Sequence, residues 1–267
     1  MAVLSVDLAY RRWSDLGIVV LDRANAPLAP FDYGPGARPI ACQIIPSTAA
    51  GQDDCPIDAN VLAGRLNHLC AVRGIRVMML DGPQAWKSKT NGCEHARVSE
   101  RQLNTAAKTG LPGMVKPVTY RPFAEFCLDV YDALCRRGWR RMDTSERSTA
   151  PPGSKVDRVL VESYPFAAWK SLGLMPLPSK RRARVSDLAK AYGALREVIP
   201  FTTDRPPSHD QLQAIVGGLP GLALDERNTA AVRIVGKPPR REEGHWREGF
   251  IVLPLPPLKP IGLRWLD

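Results

Sequence analysis

Three short apolar segments of this chain each run straight into a carboxylate: Val3-Leu4-Ser5-Val6-Asp7, Val77-Met78-Met79-Leu80-Asp81 and Val159-Leu160-Val161-Glu162. Apolar runs of this length and composition predict buried strands. Helical segments separate them, which predicts right-handed parallel crossovers within one sheet. Parallel strands bring their carboxyl ends to one edge, where open α/β sheets bind ligands. The three acids are therefore expected to converge. A carboxylate at a buried strand end is costly unless something neutralises it, and three together repel. A divalent cation relieves that repulsion, and hard oxygen ligands without His or Cys select Mg²⁺ or Mn²⁺. Taken singly, each acid reads equally well as a cap for the next loop or helix.

The remaining pattern fits around these strands. The first strand, 3–8, is followed by a polar turn at 10–15 and a β-branched strand at 16–21, which predicts an antiparallel hairpin. Residues 24–36 are rich in Pro and Gly and read as loop, and 39–45 as a third strand. Between 56 and 73 the apolar residues recur at helical spacing, with Pro56 suited to the first turn and Gly74 to the stop. The central strand spans 75–80. A long polar segment, 84–118, holds one expected helix near 97–108, and 123–137 reads as an amphipathic helix with Phe126, Val130 and Leu134 on one face. Residues 143–155 are Ser/Thr/Pro-rich and read as a surface loop. Helices are expected at 165–172, 184–198 and 209–224, the last capped by Ser208. A strand at 250–253 precedes a Pro-rich tail. The expected organisation is one domain over 1–225 with an inserted helical segment at about 84–155, then a C-terminal extension over 226–267.

Composition narrows the class. The 267 residues are 44% hydrophobic and 24% charged, which suits one large globular domain and excludes a disordered tail, a coiled coil or a collagen-like fibre. The longest clean apolar runs, such as 16–21, are too short to span a bilayer, so no membrane partner is expected. The first residues resemble no secretory signal, and a cytoplasmic location is expected. The net charge of +10 favours polyanionic partners, nucleic acid above all. Basic residues gather around Gly138-Trp139, at Lys180-Arg181-Arg182 with Arg184, and at Lys237, Arg240 and Arg241. Each group also reads as an ordinary solvated surface. The six cysteines form no Cys-x-x-Cys and the four histidines no His-x-x-x-His, so no zinc site or redox motif is expected, only reduced thiols. Gly34-Pro35-Gly36 and Gly217-Gly218 read as turns or helix irregularities and lack the Lys-Ser/Thr of a phosphate loop.

Asp7 on a first strand followed by a hairpin resembles the ribonuclease H-like superfamily. Leu80-Asp81-Gly82-Pro83, then Arg97-x-x-Glu100-Arg101-x-Leu103, then Glu162-x-Tyr164-Pro165 with Leu172-Gly173 and Lys180, resemble more narrowly the predicted nucleases of domain-of-unknown-function family 429. His209-Asp210-Gln211-Leu212-Gln213-Ala214 is similar to the acidic start of that family's last helix. The resemblance covers about residues 1–225. It implies an α/β fold with a mixed five-stranded sheet in order 3-2-1-4-5 and helices on both faces. It also implies a nuclease that hydrolyses phosphodiester bonds with two ions of Mg²⁺ or Mn²⁺. Asp7 would bridge the ions, Asp81 and Glu162 would each hold one, and Asp210 would complete the set. Lys180, Arg97 and Arg101 would grip the scissile phosphate, although Arg101 reads equally as a helix ion-pair partner. One departure stands out: the family's last helix often carries two acids three residues apart, and here the second position is Gln213.

Two further functions stay open at this stage. A decayed site at Gln213 would leave a non-catalytic ribonuclease H-like module that binds nucleic acid or protein. An actin-like ATPase or sugar kinase would need Gly-rich phosphate loops, which Tyr10-Arg11-Arg12 and Gln84-Ala85-Trp86 do not provide.

Overall fold

The computed structural model describes residues 2–23, 40–46, 55–143 and 158–256. The expected loop at 24–36, most of the loop at 143–155, and the tail after Pro256 lie outside the described residues.

Strand β1 (Ala2–Asp7) turns through a short 3-10 segment, Trp13–Asp15, into antiparallel β2 (Gly17–Asp22). Trp13 is buried there and anchors the turn. Strand β3 (Ile40–Ile45) continues the antiparallel meander. Helix α1 (Ala59–Arg73) begins later than Pro56 suggested, because Asp58 supplies the cap: its carboxylate accepts the Val61 N–H at 2.8 Å. Gly74, at φ +65°, ends it in the left-handed conformation that disfavours a side chain. Strand β4 (Val77–Asp81) then lies parallel to β1.

The segment after β4 contains α2 (Val98–Leu103), a small hairpin of β5 (Lys108–Thr109) and β6 (Val115–Lys116), and α3 (Arg121–Arg136). Helix α2 is half as long as the expected 97–108 helix, because Asn104 at φ +49° closes it. Helix α3 packs into the main core. Its Phe126, Val130, Tyr131 and Leu134 share one core with Leu62 and Leu66 of α1. Strands β7 (Trp139–Arg141) and β8 (Arg158–Ser163) are parallel to one another, and β8 is parallel to β4.

On the other face lie α4 (Pro165–Ser171), α5 (Val185–Val198) and α6 (His209–Asp225), with the short strand β9 (Phe201–Thr203) between the last two. The chain closes with β10 (Val232–Glu242) and β11 (His245–Pro254). Among the described residues the main sheet runs β10-β11-β8-β4-β1-β2-β3-β9, with β7 beside β8. Its middle five strands, β3-β2-β1-β4-β8, are the mixed ribonuclease H-like sheet in order 3-2-1-4-5, with helices on both faces.

The sheet departs from expectation at its edges. Residues after 225 form a hairpin that continues the sheet past β8, where Ile251 pairs with Glu162. Strand β10 escapes a hydrophobic-pattern reading because it holds two prolines and three arginines on an exposed edge, where such residues are tolerated. Three-residue β7 and β9 carry too little pattern to detect. Gly217-Gly218 is no turn; both residues are helical and let α6 sit directly on the sheet. A Cβ on Gly218 would lie 2.7 Å from Ser5 Cβ, and one on Gly221 2.7 Å from Val3 Cγ1. All six cysteines are free thiols, with Cys42, Cys70 and Cys127 in the core. No helix among the described residues is long and apolar enough to cross a membrane.

Candidate active site

Register decides which strand-end acids meet. Asp7 on β1 pairs directly with Asp81 on β4, and Asp81 in turn pairs with Ser163 on β8. Glu162 pairs with Leu80, one position back. Side chains alternate along a strand, so a one-residue offset moves a group to the opposite face. Val3, Val77, Met79 and Val161 share the parity of Asp7 and Asp81 and pack toward α6. Leu4, Val6, Leu80 and Leu160 share the parity of Glu162 and pack toward α1 and α3. The structure therefore puts Asp7 and Asp81 in one row and Glu162 in the neighbouring one, still near enough for its charge to raise Asp81.

Asp210 joins the first pair through a glycine. Gly17 pairs with Asp7 across β1 and β2, and a Cβ there would lie 2.1 Å from the backbone oxygen of Asp210. The absent side chain lets the first turn of α6 descend onto the sheet beside Asp7. Ser208 caps that helix, as expected, by accepting the Gln211 N–H. Asp210 is buried and held by two neighbours: Lys180 Nζ donates to Oδ2, and His209 Nδ1 lies 3.0 Å from Oδ1. Lys180 also donates to Asp15 at 2.7 Å, so its ammonium is shared between two carboxylates. The Asp210 hydrogen bond raises the His209 pKa, as does the Pro178 carbonyl at 2.9 Å, against the pull of burial.

Asp7 and Asp81 are half-buried and hydrogen-bonded to one another. Desolvation pushes Asp7 well above the ordinary carboxylate range, Asp81 and Asp210 add to the rise, and Lys180 only partly offsets it. Desolvation also raises Asp81, while the hydrogen bond from Asp7 works to lower it. Two neighbouring carboxyls repel one another, so burial and that repulsion push both above the ordinary carboxylate range. That donor set suits a hard divalent cation in chemistry: oxygen ligands only, with negative charge in excess of local positive charge. Among the described residues no three His, Cys, Asp or Glu side chains already converge on one ion position. Asp210 would have to turn from Lys180 and His209 to complete the set.

Glu162 has a different environment. It is 3% exposed, and Arg97, at 1%, clamps it with two parallel hydrogen bonds of 2.6 and 2.7 Å. The Gln84 N–H adds a third at 3.1 Å. Arg97 also donates to Glu100 at 3.0 and 3.1 Å and to Thr109 at 3.0 Å. Glu100 accepts the backbone N–H groups of Arg97 and Thr109. Burial works to lower the Arg97 pKa, but the two carboxylates overcome it and raise it. Every strong donor of Arg97 is thus committed inside the protein, and the expectation that it grips a phosphate does not fit its surroundings. Arg101 is exposed on α2. Gln213, expected to face the ions, instead accepts the indole N–H of buried Trp169 at 2.8 Å.

A cleft of about 630 Å³ opens beside Asp81 at this sheet edge. Asp81-Gly82-Pro83, Arg97, Glu100, Glu162 and Tyr164 all line it, together with Ser163. Ser163, Gly17, Asp15 and His209 drew no attention in the sequence reading as site residues. The only signal for Gly17 was a glycine opening a strand of Ile, Val and Leu, which hints at close backbone approach.

No family model matches the chain, and no curated protein matches it. Two solved structures superpose on it. One is the Thermus thermophilus RuvC structure, at 12% identity and TM-score 0.38, covering 89% of this chain and 99% of that one. The other is T. thermophilus RuvC in complex with Holliday junction substrate, at 11% identity and TM-score 0.35 with the same coverage. At these scores the fold assignment rests on the strand order itself.

Proposed function

We propose that this chain is a metal-dependent nuclease that hydrolyses phosphodiester bonds of DNA or RNA. The observation that carries the proposal is the Asp7–Asp81 pair: two carboxyls in direct register at the carboxyl edge of parallel strands, both pushed above the ordinary carboxylate range, chiefly by burial. Asp7 stands between Asp81 and Asp210 and is the natural bridging ligand, with those two as its partners. The ion would be Mg²⁺ or Mn²⁺, and the chemistry it supplies when bound is activation of a water and stabilisation of charge on the phosphate. Gly17 sets the height of Asp210 above the sheet. Lys180 and His209 hold that carboxylate in reserve, and the exposed Arg181 and Arg182 beside Lys180 offer charge to a nucleic-acid backbone. The narrower likeness to domain-of-unknown-function family 429 belongs to the proposal too. It is supported by the way part of its motif, Asp81, Arg97, Glu100, Glu162 and Tyr164, far apart in sequence, lines a single cleft.

A second ion, expected at Glu162, would have to displace Arg97. In the reading proposed here Glu162 orients Arg97 and the wall of the cleft. The test is to incubate the pure protein with labelled DNA and RNA of several shapes, with Mn²⁺ and with EDTA, and to count bound ions by calorimetric titration. Cleavage is expected with Mn²⁺ alone and should vanish in Asp7→Asn. Absence of metal-dependent cleavage on every substrate would overturn the proposal.

A non-catalytic binding module is the second reading. It is favoured by Gln213 and Glu162, whose side chains are spent on Trp169 and Arg97. Tight Mn²⁺ binding at Asp7 and Asp81 counts against it.

A further inference from the structure

The cleft beside Asp81 has a wall that phosphodiester chemistry does not require. Tyr120, Phe123, Tyr164 and Phe166 all line it. Phe166 is 44% exposed and Tyr120 43%, unusual for large aromatic side chains that a core could have used. The Tyr164 and Phe166 rings lie 6.0 Å apart in a tilted pair, and the Lys170 ammonium sits 4.3 Å from the centre of the Phe166 ring. Tyr164 is partly buried, and the Ala106 backbone N–H faces its phenol oxygen. On the floor, Ser163 is 3% exposed, and its hydroxyl has no hydrogen-bond partner among the described residues.

We infer that this cleft receives the base of an unpaired nucleotide, so that the substrate is single-stranded nucleic acid or an unpaired segment within a duplex. The inference rests on the nuclease reading and names its substrate class. An aromatic face stacks any base, because every base has a π-face. A base arriving on Phe166 takes the ring face that Lys170 now covers and releases its ammonium toward a neighbouring phosphate. A base within a continuous duplex is stacked on both sides and cannot enter. The volume of the cleft falls in the range of small-molecule sites, larger than a water pocket and smaller than a groove for a double helix. The net charge of +10 argues for this occupant over a neutral apolar ligand.

The test measures binding by fluorescence anisotropy in EDTA, so that no cleavage intervenes. The probes are a fluorescein-labelled single-stranded oligonucleotide, in deoxy and ribo forms, and the blunt duplex of the same sequence. The wild-type chain should prefer at least one single strand over the duplex. Phe166→Ala should weaken that single-strand affinity about tenfold and leave duplex affinity unchanged. Phe166→Trp should restore it, which a merely structural role would not do. Phe166 is exposed, so the alanine variant is expected to fold; circular dichroism checks this. Equal single-strand affinity in wild type and Phe166→Ala, or a preference for the duplex, overturns the inference. Failure of the nuclease reading is separately visible: no cleavage of any probe on adding Mn²⁺, whatever the anisotropy shows.

Discussion

Two clusters of acids lie within a few residues of each other at the same sheet edge, and their electrostatics are opposite. Around Glu162 each charge is matched: Arg97 bridges Glu162 and Glu100, and backbone N–H groups fill the remaining lone pairs. Around Asp7 negative charge is in excess: burial, Asp81 and Asp210 push its carboxyl up, and Lys180 only partly offsets them. The matched cluster is 3% exposed or less at Arg97, Glu100 and Glu162, whereas Asp7 and Asp81 are only partly buried. A satisfied buried network holds the fold, and an unsatisfied accessible one is available to a ligand. The contrast explains why three strands that end alike contribute so differently.

Four substitutions probe that contrast, in decreasing order of their effect on stability. Arg97→Ala leaves two buried carboxylates unpaired and should cost about 3–5 kcal/mol. The melting temperature should then drop by on the order of 10 °C. A loss of only a degree or two would mean that the matched cluster is not what holds this wall. Gly17→Ala forces a methyl group against the Asp210 backbone and should cost about 1–3 kcal/mol. Mn²⁺ affinity should fall with it, because the first turn of α6 is pushed from Asp7; unaltered Mn²⁺ affinity in calorimetry would remove Asp210 from the ligand set.

Gln213→Leu strands the Trp169 indole N–H and should cost about 1–3 kcal/mol in chemical denaturation, with Mn²⁺ affinity unchanged. A drop in Mn²⁺ affinity would instead return Gln213 to the site. Asp7→Asn should change stability least, leaving it equal or higher by up to about 1 kcal/mol, since it removes the repulsion of Asp7 with Asp81 and Asp210. In wild type Mn²⁺ should raise the melting temperature, and in Asp7→Asn that rise should disappear together with cleavage. A full Mn²⁺-dependent rise in the variant would place the ion elsewhere.

Much of this was legible in the residues. The meander at β1, β2 and β3, the parallel β4 and β8, and helices α1, α3, α5 and α6 all follow from runs of Val, Ile and Leu and from helical spacing, with punctuation at Gly74 and Ser208. The site was legible in part. Asp7, Asp81, Asp210 and Lys180 do stand near one another, as strand ends and a helix start suggested. Glu162 and Arg97 line the same cleft as Asp81 but are paired with one another, and Gln213 is bonded to Trp169. Their residue types suit a metal or phosphate site, but equally a buried ion pair and a hydrogen bond to Trp169, and composition does not choose between these uses. The role of Gly17 and the aromatic cleft of Tyr164 and Phe166 depend on contacts between segments far apart in the chain, which no local pattern encodes.

The sequence by itself determined which segments are strands and helices, and that three strands end in acids, because apolar period and turn chemistry act over a few residues. Only the tertiary structure decided which acids face each other. Strand register is set by pairing between β4 and β8, and one residue of offset puts Glu162 in the neighbouring row, where Arg97 neutralises it. Asp7 and Asp81 share a row and have no such partner. Charge compensation depends on distances of a few ångströms between side chains that are tens of residues apart, and folding alone establishes those distances.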